Sequence, residues 1–148
     1  MAAKSLAKKG TTLNLVDFDT KNGIAFRDEI IEAPDNNSIE YIDCDVSSFS
    51  QLHHLSHHIH EHYSRLDVLI NNAGITESMR RENEDGFEMT LATNFLGPFL
   101  LTHLLLDLLQ AAAPSRIINI PSDAHRLVKE FDFDDIKNRK RWTKINPG

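Results

Sequence analysis

The sequence predicts an α/β fold, a parallel sheet with flanking helices, on three observations. Short apolar runs alternate with helix-length segments along the chain, which is the pattern of βαβ units. At 148 residues, with 41% hydrophobic and 26% charged content, the chain has the size and composition of one soluble domain with a single core. The run at 66–71 ends in Asn71-Asn72-Ala73-Gly74. Two amides, a small residue and a glycine equip the C-terminal edge of a strand to hold a polar ligand.

The elements follow in order. Residues 11–19 (TTLNLVDFD) read as a strand, and 20–33 as a helix that ends before Pro34 and the turn-rich Asp35-Asn36-Asn37-Ser38. Residues 39–46 (IEYIDCDV) form a second strand. Leu52, Leu55, Ile59 and Tyr63 recur at helical spacing within 47–64, with Ser47 or Ser48 as N-cap. Residues 66–71 are a third strand, 84–113 mostly helix, and 116–120 a fourth strand. Residues 126–148 are polar, basic and aromatic without a period, a loop or helix fragment. No repeat and no second domain is evident, so residues 1–148 are expected to form one partial domain.

The bulk properties exclude several classes. A net charge of −6 and a pI near 5.7 argue against a nucleic-acid partner. The single cysteine, Cys44, excludes an internal disulfide framework and fits a reducing compartment. The N-terminus carries no apolar run of signal-peptide length. The one membrane candidate, residues 95–113, is interrupted by His103, Asp107 and Gln110, and reads as a buried helix. The location expected is cytoplasmic, or the cytoplasmic face of an intracellular membrane if a longer form carries an anchor.

Several residues carry possible chemistry. Asp17, at the end of the first strand, could accept hydrogen bonds from an adenosine ribose and repel a 2′-phosphate, favouring NAD over NADP. Asp17 and Asp19 could equally start a turn or cap the next helix. Asp45 offers the same two readings. Pro98 has no N–H, so the helical bond to the carbonyl of Asn94 cannot form and the helix should kink there.

Taken together, Cys44-Asp45-Val46, Leu66 to Gly74, Thr93-Asn94-Phe95-Leu96-Gly97 and residues 115–122 resemble the short-chain dehydrogenase/reductase family, over nearly the whole chain. The tail Ser122-Asp123-Ala124-His125-Arg126 with Phe131-Asp132-Phe133-Asp134-Asp135 is most similar to its retinol-dehydrogenase-like branch. The resemblance implies a Rossmann-like fold and an NAD(P)-dependent oxidoreductase acting on a lipophilic alcohol or carbonyl. It assigns Asn94 and Ser122 to catalysis, and Asp17, Phe18, Asp45, Val46, Asn72, Ala73 and Gly74 to the cofactor. Phe18, where NADP-preferring members carry arginine, agrees with Asp17 in pointing to NAD. The hydroxyl of Ser122 would hold and polarise a substrate oxygen. The carbonyl left without a donor by Pro98 would bind a water of the proton relay. The 95–113 helix would serve homo- or hetero-dimerisation.

Two family features are missing. The glycines stand at 10, 23, 74, 86, 97 and 148, never clustered, so no glycine-rich turn is present to hold a pyrophosphate. Neither Tyr41 nor Tyr63 has a lysine four residues on, so the Tyr-x-x-x-Lys acid/base pair is absent. Pro121 departs from the family's usual serine, which removes a hydroxyl and an N–H next to Ser122. The expectation is therefore a chain shortened at both ends, doubtful in cofactor affinity and weakly active or inactive alone, with a non-catalytic binding or dimerisation module as the alternative. In the family's strand order, 3-2-1-4-5, loss of the first strand divides the sheet; marginal stability, or a borrowed partner, follows.

Two other features bear on function. Six of the eight histidines fall within residues 53–62. Histidines at this spacing can bind Zn²⁺ or Ni²⁺, but a solvated helix face is the simpler reading and no metal site is assigned. The basic run at 137–141 reads as a solvated loop rather than a nucleic-acid patch.

Overall fold

Four short strands organise the computed structural model, which describes residues 2–31, 38–123 and 133–135. They pair as two separate two-stranded parallel sheets among these residues, the division expected of a doubly wound order without its first strand. The expected turn at 34–37, the tail at 124–132 and the basic run at 137–141 lie outside the described residues. The chain divides into two compact units, Met1–Asp45 and Val46–Gly148.

In the first unit, α1 (Ala2–Ala7) precedes β1 (Leu13–Asp17), α2 (Thr20–Ile31) and β2 (Ile39–Asp43). The strands pair with Leu13 opposite Ile39 and Asp17 opposite Asp43. Ala7, Ile30 and Ile39 form the buried core, with Leu13, Leu15 and Phe26 packed against it. Apolar burial of this kind supplies most of the driving force of folding. Gly23 has a steric reason: a Cβ there would lie 2.0 Å from the Tyr41 ring. Without it the ring packs beneath α2, and the Tyr41 hydroxyl donates to the carbonyl of Asp17 at 2.7 Å.

In the second unit, α3 (Phe49–His62) starts at Ser48, whose side chain accepts from the Gln51 N–H. This is one of the two caps expected from the sequence. Leu52, Leu55 and Ile59 are buried, as their spacing predicts. β3 (Val68–Asn71) and β4 (Arg116–Asn119) pair in parallel, Asn71 opposite Asn119. Val68 and Ile117 on this sheet are each 43% exposed.

The stretch read as continuous helix over 84–113 is broken up. Residues 82–88 instead make a tight turn closed by a bridge between Glu82 and Glu88. Helix begins with α4 (Met89–Leu91), where the buried Glu88 carboxylate caps the N–H groups of Thr90 and Leu91, both at 2.9 Å. A π-turn (Ala92–Leu96) follows, then α5 (Gly97–Leu104) and α6 (Leu106–Ala111). A π-turn thus stands immediately ahead of Gly97-Pro98, where a kink is expected from the sequence, and in it the Gly97 N–H donates to the carbonyl of Ala92. A second break falls at Leu105, whose φ of −106° and ψ of 10° depart from helical values. Leu101, Leu105, Leu108 and Leu109 are buried, whereas Phe95 is 59% and Phe99 66% exposed. The segment is thus buried on one side only. No helix among the described residues is long and apolar enough to cross a membrane.

His60 ties α3 to α6. Its Nδ1 donates to the Ser56 carbonyl at 2.7 Å and its Nε2 meets both carboxylate oxygens of Asp107 at 3.1 Å. These bonds, the Ser56 one first, hold the His60 pKa above its ordinary range, and His60 holds Asp107 below its own. The His60 contribution to stability is complete below its unfolded value of about 6.5 and is lost as pH rises through the raised folded value. The Asp107 contribution is present above its unfolded value of about 3.9 and is lost as pH falls through the lowered one. The pair therefore stabilises most in mild acid, and modestly, because solvent screens both groups. His60→Gln is expected to flatten the dependence of the urea midpoint on pH between about 6 and 8. An unchanged slope in the variant would remove His60 as its source.

Candidate functional site

In the second unit the parallel register brings two strand ends to one edge. Asn71 closes β3 opposite Asn119 of β4, and the Ile120 N–H donates to the Asn71 carbonyl at 3.0 Å. The chain leaves this edge twice, through Asn72-Ala73-Gly74 and through Ile120-Pro121-Ser122. All three cofactor candidates at 72–74, and Ser122, are exposed there. Asn71 itself faces inward to a polar bridge: its Nδ2 donates to Asn119 Oδ1 at 2.8 Å and to Thr102 Oγ1 at 3.2 Å. It fastens the two strand ends to α5. Only the second amide of the pair is presented at the edge.

Asn94 lies in the π-turn, and its side chain is committed to the backbone of the β3 loop. The Ile75 N–H donates to Asn94 Oδ1 at 2.8 Å, and Asn94 Nδ2 donates to the Ile75 carbonyl at 2.9 Å. The amide thus mimics a peptide group and holds Ile75 as a neighbouring strand would. A Cβ on Gly74 would stand 3.6 Å from Asn94 Oδ1, an ordinary contact. Pro98, four residues beyond Asn94, has no N–H to donate to the Asn94 carbonyl.

The segment 46–50 is held from two sides. A Cβ on Gly97 would lie 2.1 Å from the Val46 carbonyl oxygen and 3.1 Å from that of Ala92, so the start of α5 approaches the Val46 turn backbone to backbone. Asn83 Nδ2 donates to the Ser47 carbonyl at 2.8 Å, while the Glu84 carboxylate accepts from Ser48 Oγ at 2.6 Å and Ser50 Oγ at 2.8 Å. These hydroxyls, Ser48 first, hold the Glu84 pKa below the usual carboxylate range. Sequence reasoning missed these ties. An acid just ahead of the helical run could have flagged Glu88 as a cap; nothing local marks Glu84 as the partner of Ser48.

The first unit holds Asp17, Phe18 and Asp45. Asp17 ends β1; its Oδ1 accepts from the Asp19 N–H at 3.0 Å, and its carbonyl accepts from the Cys44 N–H at 3.1 Å. Asp19 is the capping residue of α2, accepting from the Asn22 N–H at 3.1 Å and from its side-chain amide at 2.6 Å. The backbone bond and then the side-chain bond from Asn22 lower the Asp19 pKa. The capping reading therefore belongs to Asp19, and Asp17 starts the turn while standing at the strand end. Phe18 is 67% exposed. Burial, followed by the nearby Asp45 and Asp43, pushes the Cys44 thiol up to about 11, so it stays protonated and unreactive near neutrality.

A family model described as short chain dehydrogenase matches residues 1–130, across both units. Retinol dehydrogenase 13 of Homo sapiens is 40% identical over 144 residues, covering 96% of this chain and 43% of that protein. Human retinol dehydrogenase 11 is 38% identical over 138 residues, covering 93% of this chain and 43% of its own. The chain thus spans less than half the length of these relatives. Among solved structures, a protein from Mycobacterium paratuberculosis aligns with a TM-score of 0.77 at 30% identity, covering 96% of this chain and 48% of that one. A metagenomic short-chain oxidoreductase in complex with NADP aligns with a TM-score of 0.70 at 27% identity, covering 81% of this chain and 54% of its own. The chain belongs to the short-chain dehydrogenase family, and its fold is a partial Rossmann-like α/β fold.

Proposed function

We propose that this chain is part of an NAD(P)-dependent oxidoreductase acting on a lipophilic alcohol or carbonyl compound of the retinol type, its two units belonging to one partial dinucleotide-binding domain. The observation that carries the reading is Asn94: its side chain clamps Ile75, and Pro98, four residues on, has no N–H to donate to its carbonyl. The retinol dehydrogenases it resembles supply the substrate class, and the location proposed is the cytoplasm or the cytoplasmic face of an intracellular membrane.

The residues fit a dinucleotide in part. A carboxylate at the end of β1 suits ribose hydroxyls, Val46 and Asp45 suit the adenine end, and the exposed Asn72-Ala73-Gly74 edge lets a ligand approach the backbone closely. The glycine-rich phosphate turn has no counterpart in this sequence. When bound, the nicotinamide supplies or takes up the redox equivalents. Ser122 holds the substrate oxygen by a hydrogen bond from its hydroxyl, and the Asn94 carbonyl accepts from a water that carries the proton onward. No Tyr-x-x-x-Lys pair is present, so the chain alone is weakly active or inactive.

NAD is proposed over NADP because the Asp17 carboxylate would repel a 2′-phosphate and Phe18 provides no cation to offset it. The similar structure bound to NADP is the contrary precedent. Calorimetric titration of the full chain separates these readings. NADH is expected to bind within the range of ordinary metabolite sites, about 1 µM to 1 mM, and more tightly than NADPH, with Asp17→Ala removing the difference. Tighter NADPH binding would reverse the cofactor preference.

No detectable heat with either nucleotide would leave the second reading, a dimerisation module. That reading draws on Phe95 and Phe99, which stack with centroids 6.4 Å apart and remain largely exposed. Outward aromatic pairs of this kind suit a homo- or hetero-dimer through residues 95–113.

A further inference from the structure

The histidine-rich face of α3 has no place in the dehydrogenase reading. His54, His58 and His62 recur every fourth residue, and His53 and His57 form a second row. Leu52, Leu55 and Ile59 are buried against the core and the two histidine rows flank that apolar stripe, so both stand on a rigid support. His60 is occupied, its two ring nitrogens meeting Ser56 and Asp107. The Nδ1 of His57 faces Glu61 at 3.4 Å.

His62 differs. Its Nδ1 donates to the His58 carbonyl at 2.8 Å, so the neutral ring presents its lone pair on Nε2. An imidazole N–H tied to a backbone carbonyl is the support that metal-ligating histidines use to fix tautomer and ring direction. The His58 and His62 rings already lie together, with centroids 4.3 Å apart and planes inclined at 31°. Two histidines at i and i+4 on one helix face can share a single ion, and imidazole suits copper, nickel and zinc. No group of three or more suitable side chains gathers among the described residues, so water must complete the coordination.

We propose that His58 and His62 form a two-imidazole site on one flank of α3 for a divalent first-row transition metal of the copper, nickel or zinc class. The site is separate from the dehydrogenase edge and does not depend on that function. Its ligands must be unprotonated, so binding weakens in acid. Copper should bind more tightly than nickel.

Titration of the full, untagged chain with NiCl₂ at about pH 7.5, well above the imidazole range, tests this by calorimetry. Saturable binding of one ion is expected. His62→Ala and His58→Gln should each weaken it by about tenfold or more, the effect typical of disturbing a metal site. His53→Gln and His60→Gln should leave it within about twofold, since they lie outside the pair. Far-UV circular dichroism checks that each variant keeps its helix. Absence of saturable binding, or equal affinity in His62→Ala, would overturn the proposal. A loss in His53→Gln matching that in His62→Ala would also overturn it, by placing the ion on the other row.

Discussion

Gly97→Ala is expected to destabilise the second unit by about 2 kcal/mol. The added methyl would stand 2.1 Å from the Val46 carbonyl oxygen and 3.1 Å from both the Val46 carbonyl carbon and the Ala92 carbonyl oxygen. All three are backbone atoms, so no side-chain rotation relieves the overlap. Either α5 moves outward, uncovering Leu101 and its buried neighbours, or the Val46 turn moves and breaks the ties from Asn83 and Glu84. Helix propensity alone would favour alanine by about 0.5–1 kcal/mol. Overpacking costs about 1–3 kcal/mol when the surroundings can adjust, and rigid backbone on the opposing side argues for the top of that range. Against a total stability of about 5–15 kcal/mol for a complete domain, and less for a divided sheet, the net loss is a large share. Urea denaturation followed by circular dichroism should show a lower midpoint in Gly97→Ala; a midpoint equal to or above that of the parent chain would mean that the close approach does not exist. Gly86→Ala is a useful contrast, since Gly86 has a φ of 75°, a conformation that strains any L side chain.

The same residue shows where sequence reasoning ends. Strands were legible because β-branched and aliphatic residues recur in short blocks at 13–17, 39–43, 68–71 and 116–119, and each block is set off by polar residues. The Ser48 cap was legible because capping is local. Gly97 was visible only as part of a motif; its partner, the Val46 carbonyl, is distant in sequence and is joined to it only by folding. The break at Leu105 was invisible, because Leu104, Leu105 and Leu106 all favour helix and tertiary packing overrides propensity there. Helix was expected too early, from residue 84, because the Asn83 turn consumes acidic residues that also suit a helical first turn. For the site, strand-end positions and the missing donor at Pro98 could be derived from residue types. The double bond of the Asn94 amide to Ile75 could not, because either partner alone has many possible mates.

That double bond makes Asn94→Asp the variant that separates two roles of one residue. The substitution preserves shape and the acceptor for the Ile75 N–H, but it replaces the donor facing the Ile75 carbonyl with a carboxylate oxygen. Two acceptors then oppose each other at the 2.9 Å now spanned by a hydrogen bond. Losing one partner of a hydrogen bond and leaving the other unsatisfied costs about 1–3 kcal/mol, and the exposure of Asn94 lets water recover part of it. The effect should concentrate on the loop that carries Asn72, Ala73 and Gly74, because Ile75 is its anchor. Asn94→Asp is therefore expected to raise the hydrogen-exchange rate of the Gly74 and Ile75 amides markedly while leaving the α3 amides unchanged. Equal protection of Gly74 and Ile75 in both chains would show that the side-chain clamp does not hold the loop. Pro98→Ala supplies the complementary change: it restores an N–H four residues beyond Asn94, allows the π-turn to tighten toward α-helix, and leaves the amide clamp intact. In a full-length protein carrying this segment, Pro98→Ala should depress turnover without increasing exchange at Ile75, whereas Asn94→Asp should do both. A turnover loss confined to Asn94→Asp would assign the function of Asn94 wholly to its side chain, and the carbonyl would have no part in moving the proton.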